Sequence, residues 1–343
     1  MTITALQATW FMLVGVLLTG FAILDGFDLG VGFWHLRAKG DAERRTLLNA
    51  VGPVCDCNEV WLLTGGGAIF AAFPPVYASV FSGFYLAMML VVLMLITRAV
   101  SLEFRSKVES PSWRKLWDGA FSVSSTVAGL LFGVALGNVL RGITLDQGGN
   151  YTGTFLGLLN PYALLIGVLG LAMLAFHGAN YAALKTDGEL HSRARRWSTG
   201  AGIAYLVLFL AAVGTTIGTQ PHLLENFSST PILWAIPVIA LCAIVAGLLF
   251  GRRGLPGRAF LASAISIAAQ MGLAGAGLFP RLVPALGDPA LSLTAANSSS
   301  SEKTLGVMLV LALVGMPIVL GYTIWAYRAF KGKVDVTNEA NHY

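Results

Sequence analysis

Charge is what this sequence has least of. Only 11% of its 343 residues are Asp, Glu, Lys or Arg, against about 25% in a soluble domain. Charge that sparse cannot coat a water-soluble particle of this size. With 56% hydrophobic residues and a mean hydropathy of +0.72, the chain reads as an integral membrane protein. Cysteine is scarce too: Cys55, Cys57 and Cys242 are too few, and too apolar in setting, for a disulfide framework. The net charge of +5 comes without any basic run that stands alone as a patch, which excludes nucleic acid as a partner. No basic stretch precedes the first apolar segment, and that segment carries two aspartates, so it reads as a spanning helix rather than a cleaved leader. There is no long polar domain, low-complexity tail or repeat of fixed period, so 1–343 is expected to be a single integral-membrane domain.

What is present is a series of apolar segments, each close to the roughly 20 residues that a spanning helix needs. They predict an all-α protein with nine transmembrane helices at about 8–34, 47–72, 78–102, 119–141, 160–183, 198–218, 231–250, 259–279 and 304–328. The loops after the first, third, fifth and seventh spans hold 4, 5, 4 and 3 Lys or Arg, counting Arg98 at the mouth of the third, and the C-terminal tail holds 3. Only Arg141, Arg281 and Lys303 fall on the other side. The positive-inside rule then puts the N-terminus outside and the C-terminus in the cytoplasm, which requires an odd number of spans. Seven of the eight tryptophans lie near span ends as interfacial anchors, and Trp61 alone lies deep inside one.

Four acidic residues fall well within apolar spans: Asp25 and Asp28 in the first, Asp56 and Glu59 in the second. A charge at the bilayer centre costs at least ~2.5 kcal/mol, so intramembrane carboxylates point to function by default. Each pair is spaced i,i+3 and shares a helical face. With the two spans antiparallel, all four are expected at one depth in the cytoplasmic half, roughly 9–18 Å in at ~1.5 Å per residue. Burial raises carboxyl pKa values, which suits groups that trade protons near neutral pH. The functional reading is a proton path from the cytoplasm, lined by Asn58 and Trp61. The structural alternative is that the acids cap loosened backbone or pair with an Arg, with Asp28, inside a glycine cluster, the first candidate for that role.

Other features read more plainly. Gly26 and Gly30, and Gly129, Gly133 and Gly137, are spaced i,i+4 as close-packing faces between helices. Cys55 and Cys57 are two apart on a helix, so their thiols point about 200° apart and cannot share one ion on an intact backbone; no metal ligand set is expected. Among His35, His177, His191, His222 and His342, only His177 falls within a predicted span, and one buried histidine is a packing residue more often than a haem ligand.

Asp25-Gly-Phe-Asp-Leu-Gly-Val-Gly32, followed by Asp56-x-Asn58-Glu59-Val-Trp61-Leu, resembles subunit II of the cytochrome bd-type quinol oxidases. The resemblance continues through Phe81-Ser-Gly-Phe-Tyr85, Phe104-Arg-Ser-Lys107, Gly137-Asn138, Leu159-Asn-Pro161, Thr230-Pro-Ile-Leu-Trp-Ala-Ile-Pro237, Phe279-Pro280 and the Asn-Ser-Ser-Ser segment at 297–300. It implies two four-helix bundles plus one peripheral helix, and a larger subunit I as partner, carrying haem b and haem d. Small accessory membrane subunits accompany some such pairs. It implies oxidation of quinol and reduction of dioxygen to water in a bacterial or archaeal cytoplasmic (inner) membrane, without haem on this chain. Subunit II would supply part of the cytoplasmic proton route, with Asp56 matching the family's aspartate there, and in some members it holds a structural quinone. Cys55 and Cys57 depart from the aromatic residue and glycine usual beside that aspartate. A proton- or cation-coupled secondary transporter built on the same carboxylates is the rival reading, and a membrane scaffold a third.

Overall fold

Capping residues and prolines mark where the helices begin. Thr4 and Gln7 form a reciprocal capping box, Asn160 and Ser301 accept from backbone N–H groups at 3.0 and 3.3 Å, and prolines open several other helices. The computed structural model describes residues 3–334, so His342 lies outside it. The helices are α1 (Ala5–His35), α2 (Gly40–Ala72), α3 (Pro74–Gly83), α4 (Tyr85–Phe104), α5 (Pro111–Arg141), α6 (Pro161–Lys185), α7 (Gly188–Thr219), α8 (Glu225–Ser229), α9 (Ala235–Arg252), α10 (Pro256–Leu278) and α11 (Glu302–Ala329).

Eight of these helices are long and apolar enough to cross a membrane: α1, α4, α5, α6, α7, α9 with the turn before it, α10 and α11. The sequence predicts nine. The difference is α2, whose 33 residues make it the longest helix, but whose charged and polar residues keep it short of that apolarity. The expected third span at 78–102 is two helices, because the chain leaves helical geometry at Phe84 between α3 and α4. α2 starts seven residues before the expected 47, since the polar stretch from Gly40 continues the helix beyond its apolar part.

α2 packs on α1, α1 on α5 and α5 on α4; α6, α7, α9 and α10 form a second group, with α6 joining the two through α1 and α5. α11 packs on α1 and α2 and leaves most of its surface exposed. The glycine faces act as expected. A Cβ on Gly133 would sit 2.8 Å from the Gly167 Cα, and one on Gly137 would sit 2.7 Å from the Ala163 Cα, so α5 and α6 meet backbone to backbone.

The two long polar connections, 142–159 and 280–303, pair with each other. Ile143 N–H donates to the Pro284 carbonyl at 3.0 Å and Leu286 N–H to the Ile143 carbonyl at 2.8 Å, beside a short hairpin of β1 (Arg281–Val283) and β2 (Leu293–Thr294). Asp146 accepts from the Gly148 and Asn150 N–H groups, both at 2.8 Å, and these donors hold its carboxyl below the usual range.

Candidate functional site: a buried carboxylate cluster around Arg98

Asp25 and Asp28 lie on the buried face of α1, ten and seven residues before its end at His35, or about 10–15 Å along the helix. Both are buried in full. Arg98, from the last two turns of α4, reaches them across the space between α4 and α2. Its Nη2 donates to Asp25 Oδ1 at 2.6 Å and also to Glu59 of α2. Asn58, one residue before Glu59, donates from Nδ2 to Asp28 Oδ2 at 2.8 Å and accepts at Oδ1 from the Tyr327 hydroxyl of α11 at 2.9 Å. One nitrogen of a buried guanidinium thus serves two carboxylates, while a third carboxylate is held by a neutral amide.

Of the four expected acids the structure brings three together. Asp25, Asp28 and Glu59 share the cluster, whereas Asp56 is exposed on the outer face of α2. An i,i+3 pair is offset by about 60° around the helix, enough for Glu59 to turn inward while Asp56 turns out. The expectation that all four converge is corrected to that extent. It is Asp25 rather than Asp28 that pairs with an arginine, and no ion pair reaches Asp28 among the described residues. Trp61 is buried one turn further on with its ring against Gly20, on the side of the apolar core rather than beside the carboxylates.

Sequence reasoning missed Arg98. Counting it with the cytoplasmic loops served the topology argument but hid the one cation placed to meet the acids. The rule that makes an intramembrane Asp a functional candidate applies equally to an intramembrane Arg. A second cluster, at the helix ends around Asp118, was missed for the same reason. Asp118 of α5 is buried and accepts from His35 Nε2 at 2.7 Å, Arg105 at 2.6 Å and Arg44 at 3.0 Å; Arg105 also meets Asp41 at 2.7 Å. Arg44 and Arg105 are ties between helix ends rather than free lipid contacts, as is Arg193, which pairs with Glu43 across the two helix groups.

Two histidines are buried among the described residues, and both are engaged by side chains or backbone of this chain. His177 is buried with both ring nitrogens engaged, Nδ1 with Ser263 Oγ at 2.7 Å and Nε2 with the Ile23 carbonyl at 3.0 Å. His35, outside the predicted span yet wholly buried at the end of α1, is held by Asp118. An apolar cavity opens beside the second group, lined by side chains of α5, α6, α7, α9 and α10, with Tyr162, Thr216 and Gln270 as its polar groups. Tyr162 and Thr216 hydrogen-bond each other at 2.9 Å.

The model of the family described as cytochrome bd terminal oxidase subunit II matches residues 6–330. The chain is 39% identical to cytochrome bd-I ubiquinol oxidase subunit 2 of Escherichia coli strain K12, over 96% of this chain and 95% of that one. It is 40% identical, with the same coverage, to a probable cytochrome oxidase subunit 2 of Haemophilus influenzae. Identity to the cytochrome bd ubiquinol oxidase subunit 2 of Bacillus subtilis is 35%, over 96% and 97% of the two chains. The fold is that of a chain in the bd oxidase from Geobacillus thermodenitrificans, with a TM-score of 0.79 over 95% of this chain and 99% of that one, at 17% identity. The family match and these identities run from end to end of the buried cluster and of the helices that build it, and the chain therefore belongs to the cytochrome bd terminal oxidase subunit II family.

Proposed function

We propose that this chain is the non-haem subunit of a quinol:oxygen oxidoreductase and carries chemical protons from the cytoplasm toward the oxygen-reducing site of its partner. The partner is a larger subunit I with haem b and haem d, in a bacterial or archaeal cytoplasmic membrane, with quinol and dioxygen as substrates. The haems supply electron transfer and oxygen reduction. In this reading α2 is a ninth span, the N-terminus is outside, and the arginine-rich helix ends around Asp118 face the cytoplasm.

The observation that carries the reading is the sharing of Arg98 Nη2 between Asp25 and Glu59. Glu59 is partly open, with 29% of its side chain exposed, while Asp25 is closed off. A proton taken up by Glu59 removes the charge that holds its side of the guanidinium, and the hydrogen bond concentrates on Asp25. When the proton moves on, Glu59 recovers its share. Asp25 and Asp28 each present an oxygen within 4.8 Å of the other, a gap that one hydrogen-bonded water spans. Asn58 holds Asp28 in the orientation that this transfer needs. Asp56, on the outer face of α2, is where the route meets the partner subunit.

Asp56→Asn is expected to lower oxygen consumption while leaving assembly and the haem spectrum intact; a wild-type rate would remove Asp56 from the route. The apolar cavity with Tyr162, Thr216 and Gln270 at its wall is the place for a structural quinone, since it offers an isoprenoid tail an apolar lining and a headgroup a few hydrogen-bonding partners.

A further inference from the structure

The carboxylate cluster carries more negative charge than its arginine offsets. Ionised, Asp25, Asp28 and Glu59 set three negative charges against one guanidinium. Asp25 Oδ2 and Asp28 Oδ1 have no hydrogen-bond partner although their residues are wholly buried. Buried polar atoms without a partner call for a water or an ion. A third donor lies close to the two aspartates. Cys55 of α2 is buried, its Sγ lies 3.7 Å from Arg98 Nη2, and it offers a ligand atom within 4.8 Å of one from each aspartate. Two carboxylate oxygens and a thiol, converging from two helices, make a donor set that an acid cluster alone lacks.

We propose that Asp25, Asp28 and Cys55 form a binding site for a divalent cation of the zinc class, whose occupancy takes both aspartates out of proton exchange. Zinc accepts mixed sulfur and carboxylate ligands in tetrahedral geometry, and three protein ligands leave a fourth position for water or for Glu59. Calcium and magnesium prefer oxygen alone, so the thiolate selects against them. On binding, the Cys55 S–H bond breaks, a metal–sulfur bond forms and the proton leaves to solvent; no electron changes hands. With Cys55 as thiolate, the bound cation leaves the cluster one net negative charge, the same as a single added proton leaves it with the thiol intact, so cation and proton compete for one place. Cys57 takes no part: its Sγ turns to the Val54 carbonyl of its own helix at 2.9 Å. The effect on turnover rests on the proton-route reading, whereas the binding does not.

The test uses the purified oxidase complex, treated with chelator, loaded with zinc chloride and desalted. Zinc content and zinc-edge X-ray absorption are read alongside oxygen consumption. One retained zinc per complex is expected, with a single sulfur at ~2.3 Å. Cys55→Ala should lose that sulfur and Cys57→Ala should keep it. The zinc concentration that halves oxygen consumption, scaled to each variant's own zinc-free rate, should rise at least ~10-fold in Cys55→Ala. Cys55→Ser, closest in size, guards against a folding defect and should likewise lose the sulfur. Zinc without a sulfur neighbour, or a sulfur that persists in both Cys55 variants, overturns the site. A zinc held through Cys55 with no effect on oxygen consumption keeps the site and overturns its coupling to the proton route.

Discussion

In the group formed by α1, α2, α4 and α5, buried side chains include Asp25, Asp28, Arg98, Arg105 and Asp118. In the group formed by α6, α7, α9 and α10 they are almost all neutral: Asn180, Ser198, Ser263 and Ser266, with a His177 whose pair of hydrogen bonds is to a hydroxyl and a carbonyl. The exception, Arg193, is tied to Glu43 of the first group. Both groups use the same device to pack, small residues that bring backbones together. Each ion taken from water costs several kcal/mol even after relaxation, so the concentration of ions in one group is not explained by packing. The first group holds the buried charge that the proposed proton route uses; the second holds apolar volume, including the cavity.

The comparison breaks most visibly at Arg98. Replacing it with Met leaves the buried Asp25 and the half-buried Glu59 without their cation, a loss of about 3–5 kcal/mol if Asp25 stays ionised. A large fall in the thermal stability and yield of the complex is expected, partly recovered when Glu59→Gln is added. A stable Arg98→Met complex would show that the carboxylates already hold protons in the resting state.

Asp118→Asn sharpens the contrast between the two charged clusters. It leaves Arg105, Arg44 and His35 without their shared carboxylate, at about 3 kcal/mol for a broken buried pair. Because this cluster ties helix ends together, stability should fall while oxygen consumption per assembled complex holds. A selective loss of turnover instead would bring Asp118 into the proton route. In the second group, Ala274→Phe fills part of the cavity at an overpacking cost of ~1–3 kcal/mol. The expected readout is loss of co-purifying quinone, by extraction and chromatography, with the haem spectrum unchanged.

Much of this contrast was legible in the residues. Helix positions, the close-packing glycines and the placing of Asp25, Asp28 and Glu59 on facing surfaces follow from apolar period and from i,i+3 and i,i+4 geometry. The partners of the acids were not legible, because pairing between helices depends on how α4 is rotated against α1, and no local pattern reports that. Arg98, inside the end of its expected span, carries the same signal as an interfacial arginine until its side chain is seen to reach Asp25 and Glu59. Asp118, one residue ahead of an expected span, looks solvated until His35, Arg44 and Arg105 close over it. The pairing of 142–159 with 280–303 is made by backbone groups, which leave no trace in side-chain type.

The smallest change tests whether α11 belongs to the site or only lies beside it. Tyr327 donates its hydroxyl proton to Asn58 Oδ1, and Asn58 in turn donates to Asp28, so α11 is linked to a buried acid of α1 by two hydrogen bonds. Tyr327→Phe keeps the ring against Phe27 and removes only the hydroxyl. One neutral hydrogen bond is worth about 1 kcal/mol, so thermal stability should fall slightly and assembly should be normal. Asn58 is then free to rotate its amide, and Asp28 loses its fixed orientation in a fraction of molecules. Oxygen consumption should fall by less than in Asp28→Asn, and Asn58→Ala should reproduce the Tyr327→Phe rate or lower it further, with no additional loss from combining the two. If the two changes add independently, Tyr327 acts through some path other than Asn58, and α11 is a covering helix whose contact with the site has no part in turnover.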